Sequence, residues 1–163
     1  VTTATATLDG VLADRDSWRA RNCSIARALE IVGTRSAMLL IREAYYGARR
    51  FEEFVRRTEL TEAVTAARLR ELVTAGIFAK VPYRDPGQRQ RDGYELTAMG
   101  RDLLPVSLSL MRWADKHLAE RGGPIAITHS GCEAPVDVRV VCAEGHDVAL
   151  EELTVARRRR HET

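Results

Sequence analysis

The stretch "YRDPGQRQRDGYELT", residues 83–97, decides how this chain is read. Pro86 and Gly87 suit a turn. The apolar "YEL" that follows returns at once to strand-like sequence. A turn has no need of Arg84, Arg89 and Arg91. With "IFAKVPY" before the loop and "GYEL" after it, the pattern predicts two strands joined by a basic tip. A hairpin with a positive tip points at something negative, and the segments around it say what.

Upstream the apolar spacing is helical. "CSIARALEIVG" (23–33) sets Ile25, Leu29 and Val32 on one face, with Asn22 as a candidate N-cap and Gly33 as a stop. "SAMLLIREAYYG" (36–47) is apolar nearly all round and predicts a buried helix. "RFEEFVRR" (50–57) gathers Phe51, Phe54 and Val55. Thr61 can cap "EAVTAARLRELVTAG" (62–76), whose inward stripe is Leu69, Leu72 and Val73 and which Gly76 ends. Downstream, Thr97 caps a long helix, "AMGRDLLPVSLSLMRWADKHLAE", which Pro105 should kink or break.

Helices, a hairpin and a long helix in this order, with only "TEL" joining the helices over 50–57 and 62–76, predict a winged helix-turn-helix. The fold class is mainly α with a small β wing. A helix over 62–76 can lie in a major groove while the basic hairpin reaches the backbone or the adjacent minor groove. Residues 49–91 hold ten basic and six acidic side chains, an excess of four, whereas the whole chain has a net charge of +2. The remainder is therefore net acidic, and the positive charge is concentrated where DNA would lie.

The residues also resemble a family. "CSIARALEIVGTRSAMLLIREAYYGARRFEEF", "RLRELVTAGI" and "YELTAMGRDLLP" occur in the order and spacing of HxlR-type winged-helix transcriptional regulators, relatives of the MarR group. The resemblance covers about residues 20–118. It implies a homodimeric regulator of double-stranded DNA, often a repressor, whose first and last helices form the dimer interface. Cys23 matches the family's N-terminal cysteine, Phe51 the aromatic of its "RRF" motif, Arg68 and Leu69 the "RL" of the recognition helix, and Arg91 the wing arginine. The chain departs from the family at Ala63, where a basic residue is frequent, and at Ala66 and Ala67, where a polar pair is. Alanines touch thymine methyls but make no hydrogen-bonded base readout. The load shifts to Thr61, Arg68, Arg70 and the wing. The expected DNA-binding set is thus Arg49, Arg50, Thr61, Ala63, Ala67, Arg68, Arg70, Arg84, Arg89 and Arg91. Arg68 has a second reading as an ion-pair partner of Glu71 or Glu62. The alternative for the whole chain is a winged-helix protein-interaction or ligand-sensing module without sequence-specific DNA reading.

Further residues carry their own alternatives. Cys23, at a helix start near Arg19 and Arg21, is either a redox-sensing thiol or an inert interface cysteine. Trp18, Leu108 and Trp113 are expected in the dimer interface, and Trp18, Met111 and Trp113 are candidate walls for a small-molecule effector. His129, Cys132, Cys142 and His146 form two pairs that suit a structural zinc ion. The other reading of that segment is a plain β-hairpin with two buried cysteines, which oxidation could bridge. The expected organisation is a disordered N-terminus (1–11), the winged helix-turn-helix and dimerisation domain (12–121), a small β-hairpin appendage (125–155) and a basic tail (156–163). Residues 12–21 should form a short helix. The N-terminus lacks a signal-peptide pattern and no apolar run reaches a membrane span, so a cytoplasmic location is expected, with no membrane partner. No nucleophile elbow or phosphate-binding glycine loop points to an enzyme.

Overall fold

The computed structural model describes residues 4–17, 23–120 and 122–157. The chain separates into two units: Ser24–Val136, and Val1–Cys23 together with Asp137–Thr163.

The first unit carries the winged helix. Its elements are α1 (Ser24–Val32), α2 (Arg35–Tyr45), α3 (Phe51–Thr58), α4 (Glu62–Thr74), β2 (Phe78–Tyr83), β3 (Arg91–Leu96), α5 (Ala98–Arg101) and α6 (Leu104–His117). Caps explain most boundaries. Thr34 accepts from the Ala37 N–H, Thr61 from the Val64 N–H and Thr97 from the Gly100 N–H, each satisfying an orphan donor of the first turn. Glu53 caps α3 from inside: its Oε2 accepts from the backbone N–H groups of Arg49 at 2.8 Å and Arg50 at 3.0 Å. These bonds hold its carboxyl below the usual carboxylate range. The cap is therefore intact at neutral pH and is lost only as pH falls through that lowered value. Gly76 leaves α4 at φ +80°, a conformation glycine adopts without a Cβ penalty.

The core is built by α2, α3, α4 and the start of the sheet. Leu40, Ile41, Phe54, Leu69, Leu72, Ile77 and Phe78 are almost fully buried. Phe54 lies edge-on to Phe78 and Tyr94, with centroids 5.9 and 6.1 Å apart. Strands β2 and β3 pair antiparallel, from Phe78 opposite Leu96 to Tyr83 opposite Arg91. The expected long helix breaks, giving α5 and α6, with Pro105 in the first turn of α6 where its missing N–H costs nothing. Gly100 makes the packing of α5 possible, since a Cβ there would lie 2.3 Å from the Ile77 carbonyl oxygen.

The second unit differs from expectation. Thr7–Leu8 (β1) pairs parallel with Thr154–Val155 (β4), so part of the N-terminal stretch expected to be disordered is a strand. The helix expected over 12–21 is replaced, as far as it is described, by 3-10 turns at Gly10–Leu12 and Arg15–Ser17. Trp18, Arg19, Arg21 and Asn22 lie outside the described residues, as does most of the basic tail. The hairpin expected over 125–155 does not form. Two separate turns stand in its place, each closed by one isolated bridge: Thr128 with Pro135 in the first unit, and Val141 with Asp147 in the second. The reason is local. The His129 N–H bonds the Ala134 carbonyl and the Val136 N–H the Ile127 carbonyl, while the Cys142 N–H bonds the His146 carbonyl and the Val148 N–H the Val140 carbonyl, so Val136 and Val140 are each taken up in a short local turn rather than in one continuous strand. Val140 is left exposed.

Candidate nucleic-acid interface

Helix α4 is positioned by the turn that precedes it. Thr58 donates its hydroxyl to the Phe54 carbonyl, Glu59 takes the left-handed conformation at φ 58°, and Thr61 then caps α4. Thr65, Leu69 and Leu72 recur at helical spacing and face the core. Thr65 brings a hydroxyl into that core with no hydrogen-bond partner among the described residues. The opposite side is left outward. Thr61, Glu62, Ala63, Val64, Arg70, Glu71 and Thr74 are exposed, and Ala66 and Ala67 are half-buried. Arg68 does not project freely. Its guanidinium bonds Glu71 and, at 3.3 Å, the Ser36 hydroxyl, which ties α4 to the start of α2. Arg70 reaches back to the Ala66 carbonyl.

The wing is fastened to the segment between α2 and α3. The Tyr94 N–H donates to the Arg49 carbonyl at 2.8 Å. Gly93 allows this approach, since a Cβ there would stand 3.1 Å from that carbonyl oxygen. Side chains repeat the link. Arg50 binds Asp85 through two N–H···O bonds of 2.7 and 3.0 Å and lies 4.7 Å over the Tyr83 ring. The Asp85 partner holds its guanidinium pKa above the usual arginine value. Arg91 reaches Glu52 at 3.0 Å, Arg49 reaches Glu95 at 3.6 Å, and Lys80 pairs with Asp92 across the strands at 3.1 Å. At the tip, Arg84 folds back onto the Gln88 carbonyl, and Gly87 supplies φ +74°.

The basic residues expected at DNA therefore fall into two sets. Arg49, Arg50, Arg68 and Arg91 are already paired with carboxylates of the chain. Arg70, Arg84 and Arg89, with Arg56 on α3, form no ion pair among the described residues. Reading single residues in order misses the partners Glu52, Asp85 and Glu95. In the sequence they count only as acidic charge, because their pairing is non-local, and the helix–wing spacing is the one signal that points to it.

Two helices of this unit leave apolar side chains outward. Ile25 and Leu29 on α1 and Val106, Leu110 and Trp113 on α6 are all more than half exposed. Trp113 touches His117, and Leu108 is half-buried. Leu108 also lines a cavity of about 360 Å³ between α2 and α6, with Met38, Tyr45, Ser107 and Met111 in its wall. Burial raises the Tyr45 hydroxyl pKa, with the Ser107 hydroxyl beside it opposing the shift. Cys23 is half-buried and immediately precedes α1.

The four residues expected to hold zinc are divided between the two units. His129 Nδ1 lies 3.3 Å from Cys132 Sγ in the first unit, while Cys142 and His146 belong to the second. Backbone N–H groups of His146 and Glu144 hold the Cys142 thiol below the usual range. Among the described residues no three His, Cys, Asp or Glu side chains gather as metal ligands. No described helix is long and apolar enough to cross a membrane.

Known proteins resemble this chain in sequence or in fold. An uncharacterised HTH-type transcriptional regulator of Mycobacterium tuberculosis is 37% identical over 140 residues, which covers 85% of this chain and 87% of that protein. The crystal structure of PA1607, a candidate transcription factor, superposes with a TM-score of 0.76 at 31% identity, over 85% of this chain and 96% of that one. The redox regulator HypR in its oxidised form superposes with a TM-score of 0.53 at 28% identity, over 58% of this chain and 97% of that one. The family profile described as HxlR-like helix-turn-helix matches residues 31–121, the span from the end of α1 through the recognition helix, the wing and α6. The chain belongs to the HxlR-like helix-turn-helix family of DNA-binding transcriptional regulators.

Proposed function

We propose that the protein is a twofold dimeric, sequence-specific repressor that binds DNA in the cytoplasm through α4 and the wing. One observation carries this reading: a capped recognition helix and a fastened wing expose Arg70, Arg84 and Arg89 with no carboxylate partner among the described residues. Unpaired guanidinium groups are available for phosphate, and each phosphate contact releases counterions. Ala63 and Ala67 offer only apolar contact, so base discrimination falls on Arg70, Thr61 and the wing. The apolar faces of α1 and α6 are suited to a second copy, and a twofold arrangement matches inverted half-sites.

Selection of bound duplexes from a random DNA pool, followed by titration at several salt concentrations, tests the proposal. Arg89→Ala should weaken binding uniformly across sequences and reduce the slope of log affinity against log salt by about 0.9 for each phosphate no longer neutralised. A pool that enriches no sequence would favour the protein-interaction reading.

Redox responsiveness is a second part of the proposal. It is supported by a half-buried thiol directly before α1 and by likeness to HypR. Treatment with a thiol oxidant should change the DNA affinity of the native protein and leave Cys23→Ser unaffected. Equal responses in the two would remove Cys23 from regulation. The cavity between α2 and α6 suits an apolar effector.

A further inference from the structure

Resting on the DNA-binding reading, we propose that Glu52 is an intramolecular stand-in for DNA phosphate: it holds the wing residue Arg91 in the free protein and must surrender it when DNA binds. This one carboxylate would then set how tightly, and with what salt dependence, the wing engages.

The cleft between the first turn of α3 and the wing is lined by Arg50, Glu52, Arg56, Tyr83, Asp85 and Arg91. Two guanidinium–carboxylate pairs bridge it, and they are built differently. Arg50 and Asp85 share two hydrogen bonds, the guanidinium stacks on Tyr83, and the Asp85 side chain is 32% exposed. Planar, bidentate and stacked, this pair is a strut. Arg91 and Glu52 make a single contact of 3.0 Å, and their side chains are 57% and 58% exposed. A pair of that kind holds its members weakly and in reach of solvent.

Glu52 also stands in the acidic first turn of α3, where its charge favours the helix N-terminus, but among the described residues its one ion pair is with Arg91. Glu53, not Glu52, caps α3. A carboxylate and a phosphodiester offer a guanidinium the same anionic oxygens, so the exchange keeps Arg91 paired throughout. It leaves Glu52 unpaired beside a phosphate, however, and the like charges repel. Arg91 then contributes less to affinity than Arg89, which has no ion pair among the described residues.

The test uses the duplex that wild-type protein enriches from a random pool. Dissociation constants over a range of salt are measured for wild type, Glu52→Gln, Arg91→Ala and the double variant. Glu52→Gln is expected to bind about fivefold more tightly at low salt and to steepen the salt slope. In the Arg91→Ala background the same substitution should give a smaller gain, because the competed group is gone and only the repulsion between Glu52 and phosphate is left to relieve. Asp85→Asn, which breaks the strut, should weaken binding. Glu52→Gln binding equally or less tightly, with an unchanged thermal midpoint, would overturn the inference and make Glu52 a positioning residue of the wing. If wild type enriches no duplex, the DNA-binding reading fails first and the inference falls with it, a result distinguishable from wild-type binding without an effect of Glu52.

Discussion

Phe54→Ala is expected to destabilise the winged-helix unit by about 3–5 kcal/mol. The Phe54 ring is fully buried and meets Phe78 and Tyr94 edge to face. Its removal forfeits apolar burial, opens a void where α3 meets the wing strands, and deletes two aromatic pairings at once. Ordinary stability is about 5–15 kcal/mol, so the loss is a large share of the whole. Denaturant titration should show a lower midpoint. DNA affinity should fall with the folded fraction, because the wing strands pack on this ring through Phe78 and Tyr94. Phe54→Leu retains most of the volume and should recover much of the loss. An unchanged midpoint in Phe54→Ala would mean that the core is not organised around α3.

Leu110→Asp is expected to have the largest effect on binding. Leu110 is 54% exposed on α6, near Val106 and Trp113, which are 52% and 55% exposed. A charge there costs the single unit little, since the site already faces water. Buried against a second copy it would be a carboxylate without a partner. Sedimentation at micromolar concentration should show wild type as a dimer and the variant as a monomer. With two half-sites no longer linked, affinity for an inverted repeat should drop by about a hundredfold or more, while secondary structure stays the same. A monomeric wild type would refute the dimer and the half-site argument together. A dimeric variant with native affinity would place the interface elsewhere.

Much of the winged helix is legible in single stretches, because local rules set it. Thr61 and Thr97 are caps wherever an exposed helix start needs an acceptor, Gly76 ends α4, and Pro105 cannot lie inside a continuous helix. The strands around the arginine loop follow from turn chemistry and the return to apolar residues. The C-terminal segment misleads for the complementary reason. The alternation of Val136, Val138 and Val140 satisfies a strand pattern, but a strand needs a partner, and Thr128–Pro135 and Val141–Asp147 close on themselves instead. The actual pairing of the terminal stretches, Thr7 with Thr154, joins residues almost the whole chain apart, and no local pattern announces it.

The order of helices and wing, the caps and stops, the inward stripe of α4 and the concentration of positive charge between residues 49 and 91 are written into the chain locally. These depend on periodicity, backbone chemistry and counting, all of which are properties of neighbouring residues. Which of those charges are available follows from long-range packing. Arg68 is committed to Glu71 and Ser36, Arg50 to Asp85 and Tyr83, and Arg91 to Glu52, whereas Arg70, Arg84 and Arg89 have no ion pair among the described residues. A guanidinium carries the same charge wherever it stands. Its reach for phosphate depends on which carboxylate lies within about 3 Å, and that distance is fixed by how α3, α4 and the wing pack around Phe54.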